Sequence, residues 1–255
     1  MSKIGHIAIN TYRETIRDKV LYNLVLFALI LIGSSYILGQ ISIYQEVKII
    51  KDLGLAAISV FGTVIAIFIG IGLVSKEIDR RTLYSLLSKP VSRLEFLLGK
   101  YLGLCLTLAV NVVIMSGGLY LVLFYMTRSF ETELLKAIYL IYCQLALVTA
   151  LALLFSTFTS SLMSGVFTGF FFVAGHFSAD LKHFETVVQS DWLPKLTTLM
   201  YYLLPNLRNF DIKARVVSGD PVPISLLGYS TLYGIVYVGA VLVAAYLIFR
   251  HKNLK

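Results

Sequence analysis

Apolar residues are collected into long blocks along this chain, and these blocks contain no Asp, Glu, Lys or Arg. Five of them cover residues 20–45, 53–75, 101–127, 137–179 and 221–249. A transmembrane helix needs about 20 apolar residues, because it rises about 1.5 Å per residue and must cross about 30 Å of hydrocarbon. Four of the blocks have roughly that length, so each predicts one membrane span.

The block at 137–179 is too long for one span, since a single helix over it would measure about 65 Å. Its middle holds a hydroxyl-rich run, Ser156-Thr157-Phe158-Thr159-Ser160-Ser161, which can satisfy backbone groups at a tight turn. The block therefore predicts two spans. The whole pattern predicts an all-α integral membrane fold, one transmembrane domain over 1–255 with six spans near 21–39, 53–75, 98–125, 137–156, 162–179 and 226–249.

The composition agrees with a membrane protein. Apolar residues make up 58% and charged residues 14% of the chain, against about 45–50% and about 25% in soluble domains. This excludes a soluble enzyme, a nucleic-acid-binding domain and a disordered protein.

The charges predict the orientation of the spans. With six spans both termini lie on one side, which holds 13 Lys/Arg and 5 Asp/Glu in 1–20, 76–100, 157–161 and 250–255, whereas the other side holds 9 of each. Loops rich in Lys and Arg stay inside the cell. We therefore expect both termini in the cytoplasm and a multi-pass protein of the inner (plasma) membrane. Topology and anionic lipid account for the basic balance, so no nucleic-acid partner is predicted.

The spans carry little chemistry. Their interiors contain no Asp, Glu, Lys or Arg, and the chain has no Gly-x-x-x-x-Gly-Lys-Ser/Thr phosphate loop, so it cannot hydrolyse ATP alone. We predict no catalytic residue, no metal site and no cofactor bound by this chain. His176, with Asp180 one turn later, is interpreted as an interfacial polar cap in preference to a metal or catalytic pair. Cys105 and Cys143 lie at different depths in their spans, so no disulfide is expected.

Small and polar residues in the spans predict helix packing. Gly99 with Gly103 and Gly165 with Gly169 are small-x-x-x-small pairs, which allow close helix approach in lipid. The strongest buried hydrogen-bonding side chains are predicted to be Asn23, Asn111 and Gln144, either joining helices or lining a substrate path. Tyr229, Tyr233 and Tyr237 form one stripe, of which the last two either pack or face a cavity. The candidate cavity residues are Asn111, Gln144, Tyr233 and Tyr237.

The inner loop at 75–100 has internal structure of its own. Residues 76–87 begin with charge and end apolar, with Leu83, Leu86 and Leu87 on one helical face. Pro90 interrupts this helix, and Ser92-Arg93-Leu94-Glu95 has the capping-box pattern that starts a new one. Residues 1–20 predict a second interfacial helix. The loop helix alone requires no more than an amphipathic helix at the interface, but two surface helices on one side suit the docking of a cytoplasmic partner.

A family resemblance rests on the same loop. The run Glu77-x-x-x-Arg81-Thr82-Leu83-x-x-Leu86-Leu87-Ser88-x-Pro90-Val91-Ser92-Arg93 resembles the inner-loop motif of type-2 ABC exporter permeases, most of all the branch that includes the permease for nitrous-oxide-reductase maturation. A second match is Tyr202-Leu203-Leu204-Pro205-Asn206-Leu207 with Phe210.

The resemblance implies a permease subunit that works as a homodimer with two separate ATPase subunits, which bind ATP and Mg. Residues 76–93 would be the cytoplasmic coupling helix, and the region before the last span would form re-entrant or interfacial outer helices. The implied ATPase-coupling residues are Glu77, Asp79, Arg80, Arg81, Thr82, Leu83, Tyr84 and Leu87. The implied outer gate residues are Trp192, Leu196, Tyr202, Pro205 and Asn206.

Three functions fit the sequence. The first is the permease of an ABC exporter, and the second is a membrane anchor or assembly factor that recruits cytoplasmic proteins without transport. The third is a membrane-embedded enzyme that uses His176. The spans have no Met/Cys/His cluster for a soft metal ion, and a lipid, a peptide, a drug-like compound or a sulfur species fits as cargo equally well. Membrane lipid is the remaining predicted partner.

Overall fold

The computed structural model describes the backbone of residues 3–41, 45–79, 92–184 and 204–251, and the side chains of these residues except 72–79, 179–184 and 251. Every regular element in these ranges is a helix. The helices are α1 Lys3–Thr15, α2 Lys19–Ile41, α3 Glu46–Asp79, α4 Arg93–Thr127, α5 Thr132–Ser156, α6 Ser161–Phe184, a 3₁₀ helix Leu207–Phe210, α7 Lys213–Ser218 and α8 Ile224–His251.

Six of these helices are long and apolar enough to cross a membrane, namely α2, α3, α4, α5, α6 and α8. Each contains one of the predicted spans, so the all-α fold and the six spans are confirmed. The helices extend beyond the charge-free blocks, most clearly at α3, which begins at Glu46. Lys51 lies buried in this helix because its ammonium group pairs with the Glu131 carboxylate. A charged side chain is tolerated in such a position only when it is paired.

The core is built around α5, which packs against α3, α4, α6 and α8. In its most apolar stretch 72% of the residues are buried, against 22% in α6 and in α8. Glycine allows α3 to approach α5 closely: a Cβ on Gly62 would lie 2.6 Å from the Leu145 side chain, and one on Gly70 would lie 2.6 Å from Ala152 Cβ. These contacts make α5 the central helix, with α6 and α8 at the periphery of the chain.

The hydroxyl-rich turn lies where the sequence predicts it. Helix α5 ends at Ser156 and α6 begins at Ser161. Thr157 and Thr159 donate their hydroxyls to the carbonyls of Leu154 and Phe155 at the end of α5, which also accept backbone amides of the turn. Ser164 donates to the Ala152 carbonyl and so ties the two helices together.

The N-terminal helix is seated on the first of the predicted glycine pairs. A Cβ on Gly99 would lie 2.7 Å from the Ile7 side chain, and one on Gly103 would lie 2.6 Å from the carbonyl oxygen of Ala8. Thr11, completely buried, fills the space beside Gly103. The second pair differs, because Gly165 faces only Ile71 and Gly169 has no neighbour within 4 Å in the described part of the chain.

Candidate functional site

The inner-loop motif ends in a firmly capped helix start. Ser92 accepts a hydrogen bond from the Glu95 amide at 3.2 Å, and its own amide donates to the Glu95 carboxylate at 2.8 Å, as the capping-box pattern predicts. Of the predicted coupling residues, Glu77 and Asp79 lie in the last turn of α3. The other six lie outside the described residues: Arg80, Arg81, Thr82, Leu83, Tyr84 and Leu87.

Arg93, the last residue of the motif, makes contacts that the sequence does not reveal. Its Nη1 atom donates at 2.8 Å to the carbonyl oxygens of both Phe249 and Arg250, at the end of α8. The guanidinium also lies 5.7 Å from the centre of the Phe249 ring, and that ring stacks on Phe96. A cation that binds the last carbonyls of a helix caps it and opposes its dipole. Arg93 therefore fixes the end of α8 to the start of α4.

The same end of the bundle holds α1. Lys100 of α4 is 2% exposed, and its ammonium lies 3.6 Å from the Glu14 carboxylate of α1 and 5.7 Å from the centre of the Phe96 ring. The N-terminal helix, the start of α4 and the end of α8 thus meet at one end of the bundle. Both ends of the described chain lie there, as an even number of spans requires.

A cavity of about 910 Å³ lies between α2, α3 and α6 at this end. Its walls are mostly apolar and include Leu21, Leu24, Ile65, Phe68 and Val166. The charged part of the lining consists of Glu14, in the last turn of α1, and of Arg17 and Asp18 in the connection to α2. The cavity is open on one side, and its apolar walls and charged edge suit a ligand that has both an apolar and a polar part. The four candidate cavity residues do not line this cavity.

Two of those four are polar residues buried in the helical core. Asn111 is 3% exposed, and its Nδ2 atom has no hydrogen-bond partner among the described residues. Gln144 is 1% exposed, and its Nε2 atom lies 3.5 Å from Nε2 of His176. Nδ1 of His176 lies 2.9 Å from the Phe172 carbonyl oxygen, which can only accept, so Nδ1 carries the proton and Nε2 accepts from Gln144. Gln144 therefore joins α5 to α6.

One expectation for a polar residue needs correction, and another stays a prediction. His176 is half-buried and contacts Gln144 of α5, and its position at the membrane interface stays a prediction. Asn23 is exposed on α2, since Leu21, Val25 and Ala28 form the buried face of that helix and Asn23 lies on another. Cys105 and Cys143 are both free thiols, in agreement with the sequence.

At the opposite end of the bundle, residues 204–218, here termed the outer segment, pack among the long helices. Leu204, Leu207 and Phe210 of the second motif are buried. A Cβ on Gly175 of α6 would lie 2.9 Å from Leu207, and one on Gly234 of α8 would lie 3.2 Å from the Phe210 ring. The outer segment thus occupies the space between α6 and α8.

Hydrogen bonds hold the outer segment to α8. The Asn206 amide donates to the Tyr233 hydroxyl at 2.8 Å, and the Ser230 hydroxyl donates to the Asn209 carbonyl at 2.7 Å. The Tyr233 ring also packs on Phe210 and on Tyr237, whereas Tyr229 is exposed. The stripe therefore packs against the outer segment at Tyr233.

The predicted outer gate residues divide between described and undescribed positions. Pro205 is buried, and its carbonyl oxygen lies 2.7 Å from the position of a Cβ on Gly175. Asn206 contacts Tyr233 as above. Trp192, Leu196 and Tyr202 lie outside the described residues.

Two lysines fasten the outer segment and the chain after it to the long helices. Lys213 of α7 donates to the Ser59 hydroxyl of α3 at 3.4 Å and lies 3.7 Å from Asp211. Lys136 of α5 donates to the Val222 carbonyl, and Glu133 accepts from the Val222 amide. Sequence reasoning missed these contacts and those of Arg93, because each joins residues far apart in the chain.

The family model described as "ABC-2 family transporter protein" matches residues 6–254, which include all six long helices. No curated protein matches the chain. The narrower likeness to the permease for nitrous-oxide-reductase maturation stays a prediction. Because the matched region takes in nearly the whole sequence, the chain belongs to the ABC-2 family of transporter proteins.

Proposed function

We propose that this chain is the permease subunit of an ABC exporter, driven by a separate ATPase subunit through residues 76–93. The observation that carries the proposal is the family match over 6–254, which makes the chain a membrane component of an ABC-2 transporter. The finer parts are that transport is outward, that two copies form a homodimer, and that ATP and Mg are bound by the partner. The permease lies in the inner membrane with both termini in the cytoplasm.

The arrangement of the inner end supports coupling through 76–93. Helix α3 leads directly into this segment, and the capped start of α4 follows it. Helix α4 in turn contacts α1 and is hydrogen-bonded to the end of α8. A displacement of the segment by ATP-driven closure of the ATPase therefore reaches three helices at once. Only a difference in contact between two states can drive such a cycle.

The cavity between α2, α3 and α6 supports access for cargo from the inner side. Its lining combines apolar walls with Glu14, Arg17 and Asp18. We infer that cargo with an apolar part is taken up here when the permease faces inward. The outer segment, packed between α6 and α8, is the corresponding outer gate, and it opens when the permease faces outward.

The test is assembly with the ABC ATPase encoded nearest to this chain, followed by measurement of ATP hydrolysis in the complex. Leu83→Asp and Leu87→Asp place a carboxylate on the apolar face of the coupling helix, and Arg81→Glu reverses a charge beside it. We expect each to lower complex formation at least tenfold. Arg128→Glu, a charge reversal at the opposite end of the bundle, is the matched control and should leave assembly unchanged.

Undiminished assembly and hydrolysis in all three variants would refute coupling through this segment. A complex that forms and hydrolyses ATP, yet moves nothing across reconstituted vesicles, would instead support the membrane-anchor function.

A further inference from the structure

Helix α8 is held at two places, one at the coupling segment and one at the outer segment, which are the two parts proposed to move. Its inner end is bound by Arg93, the last residue of the coupling segment, directly after the Ser92 cap. Its outer half is gripped through Ser230, Tyr233 and Gly234, which contact Asn209, Asn206 and Phe210 of the outer segment. Both grips use short hydrogen bonds together with a packed aromatic ring.

The two grips lie on one continuous helix. From Ser230 to Phe249 there are nineteen steps along α8, which place the grips about 28 Å apart at about 1.5 Å per residue. An α-helix transmits an axial shift or a rotation over that distance without internal rearrangement, because its hydrogen bonds run along its axis. A displacement of the helix at Phe249 therefore also displaces the helix at Ser230.

The other restraints on α8 in the described chain come mainly from α5, including a hydrogen bond of 3.0 Å between the hydroxyls of Tyr139 and Thr231. Only 22% of its most apolar stretch is buried, and its exposed apolar residues include Leu232, Ile235, Val236 and Val243. It packs on α5 and, less extensively, on α4. A helix with a small buried surface shifts at lower cost than α5, which is enclosed by four long helices.

The chemistry of Arg93 fits a tether better than a surface contact. One guanidinium nitrogen binds two successive carbonyl groups, and the planar group stacks on Phe249, so the pairing fixes both position and direction. Lysine would keep the charge but has no planar group to lie over the Phe249 ring. Arg93 is therefore suited to hold the end of α8 to the first turn of α4 while that turn moves.

We propose that α8 transmits movement from one end of the permease to the other. Arg93 passes the movement of the coupling segment to α8, and α8 passes it to the outer segment. The inference rests on the proposed function, since it presumes an ATP-driven movement of residues 76–93. Arg93 is then a positioning residue, which binds neither ATP nor cargo.

The experiment follows the outer segment with a chemical label, so no cargo is needed. In a background with Cys105 and Cys143 replaced by alanine, Asn209→Cys provides one exposed thiol on the outer segment. The complex with its ATPase is reconstituted in vesicles, and labelling by a membrane-impermeant maleimide is timed without nucleotide and after trapping with ATP and vanadate. We expect the two labelling rates to differ at least threefold.

Arg93→Gln should bring the ratio of the two rates close to one, with ATP hydrolysis of each sample measured alongside for normalisation. Arg93→Lys should restore part of the difference. Ser230→Ala and Tyr233→Phe release the other grip and should reduce the ratio as well. Arg93→Gln combined with Tyr233→Phe should be no worse than Arg93→Gln alone, because both act on one route. Arg128→Gln, at the other end of α4, is the matched control.

The outcomes distinguish transmission through α8 from the proposed permease function. Equal labelling in both states of the parent protein would show that no movement reaches the outer segment. This would refute transmission through α8. A nucleotide-dependent difference that survives Arg93→Gln and Tyr233→Phe would also overturn it, while leaving the permease function in place. Failure of the parent protein to assemble with the ATPase would reject the proposed function itself. Should Arg93→Gln not fold, the Ser230 and Tyr233 variants still decide the matter.

Discussion

At Gly103 the contact between α1 and α4 leaves no room for one added carbon atom. A Cβ there would lie 2.6 Å from the Ala8 carbonyl oxygen and 2.6 Å from Thr11 Cβ. The first neighbour is backbone, so α1 itself must move to relieve the clash. Gly117, on the same helix, has open space around it in the described part of the chain. The two glycines therefore form a matched pair.

We predict that Gly103→Ala destabilises the protein by about 1–3 kcal/mol, the usual cost of overpacking. Gly117→Ala should be neutral or stabilising by up to about 1 kcal/mol, since alanine favours the helix over glycine. Unfolding in detergent measures both. Trypsin cleavage at Arg13 should be faster in the first variant because α1 is displaced. Equal stability of the two variants would contradict the seating of α1 on Gly103.

Single residues also show where reading the sequence stops. The glycine pairs and the Ser92–Glu95 capping box are local patterns, and the structure confirms the capping box. The partners of Lys51, Arg93 and Gln144 are Glu131, the end of α8 and His176. Each partner is tens of residues away, and nothing in the neighbouring sequence points to it. The type of interaction was predictable, but the identity of the partner was not.

At the scale of elements, the outer segment is held by five buried apolar side chains, which are Leu204, Leu207, Phe210, Ile212 and Val216. Phe210 is 1% exposed and fills the space beside Gly234 and Tyr233. Its removal leaves a cavity that the surrounding helices cannot close without moving. Phe177 of α6 is 60% exposed and provides the same substitution without a cavity.

Phe210→Ala should therefore lower the free energy of unfolding by about 3–5 kcal/mol. Phe177→Ala should change it by less than about 1 kcal/mol. Thermal or denaturant unfolding in the same detergent gives both values. A loss for Phe210→Ala no larger than that for Phe177→Ala would show that the outer segment is not packed as described.

The spans were predictable because lipid imposes a simple rule on sequence, namely about 20 residues without charge. The fold-back at 156–161 was predictable because hydroxyl side chains supply the hydrogen bonds that a helix end lacks. The positions at which helices begin and end were harder to predict. Helix α3 begins at Glu46, well before the charge-free block. This start includes Lys51, whose charge is paired with the Glu131 carboxylate from a loop distant in the sequence. The candidate cavity residues were chosen by polarity alone, and the cavity found is lined mostly by apolar residues.

For the whole molecule, the distribution of charge predicts which end of the bundle faces the cytoplasm. Arg13 and Asp220 are both exposed and lie at opposite ends of the bundle. Single cysteines at these positions, in a background without Cys105 and Cys143, can report the orientation in intact cells.

We expect Asp220→Cys to react with a membrane-impermeant maleimide in intact cells and Arg13→Cys to react only after permeabilisation. The reason is the excess of Lys and Arg at the end that holds α1. The background without cysteine controls for other labelling. The reverse pattern would place the coupling segment outside the cell and remove the basis for an ATPase partner.

The seat of α1 on Gly99 and Gly103 has a consequence for biosynthesis. Helix α1 leaves the ribosome before α4 does, and its binding site is completed only after about ninety more residues have been translated. At about 5–20 residues per second, that interval is on the order of ten seconds. Until then only lipid or the insertion machinery can cover the apolar face of α1. Helix α1 thus reaches its native neighbours only once α4 has been made.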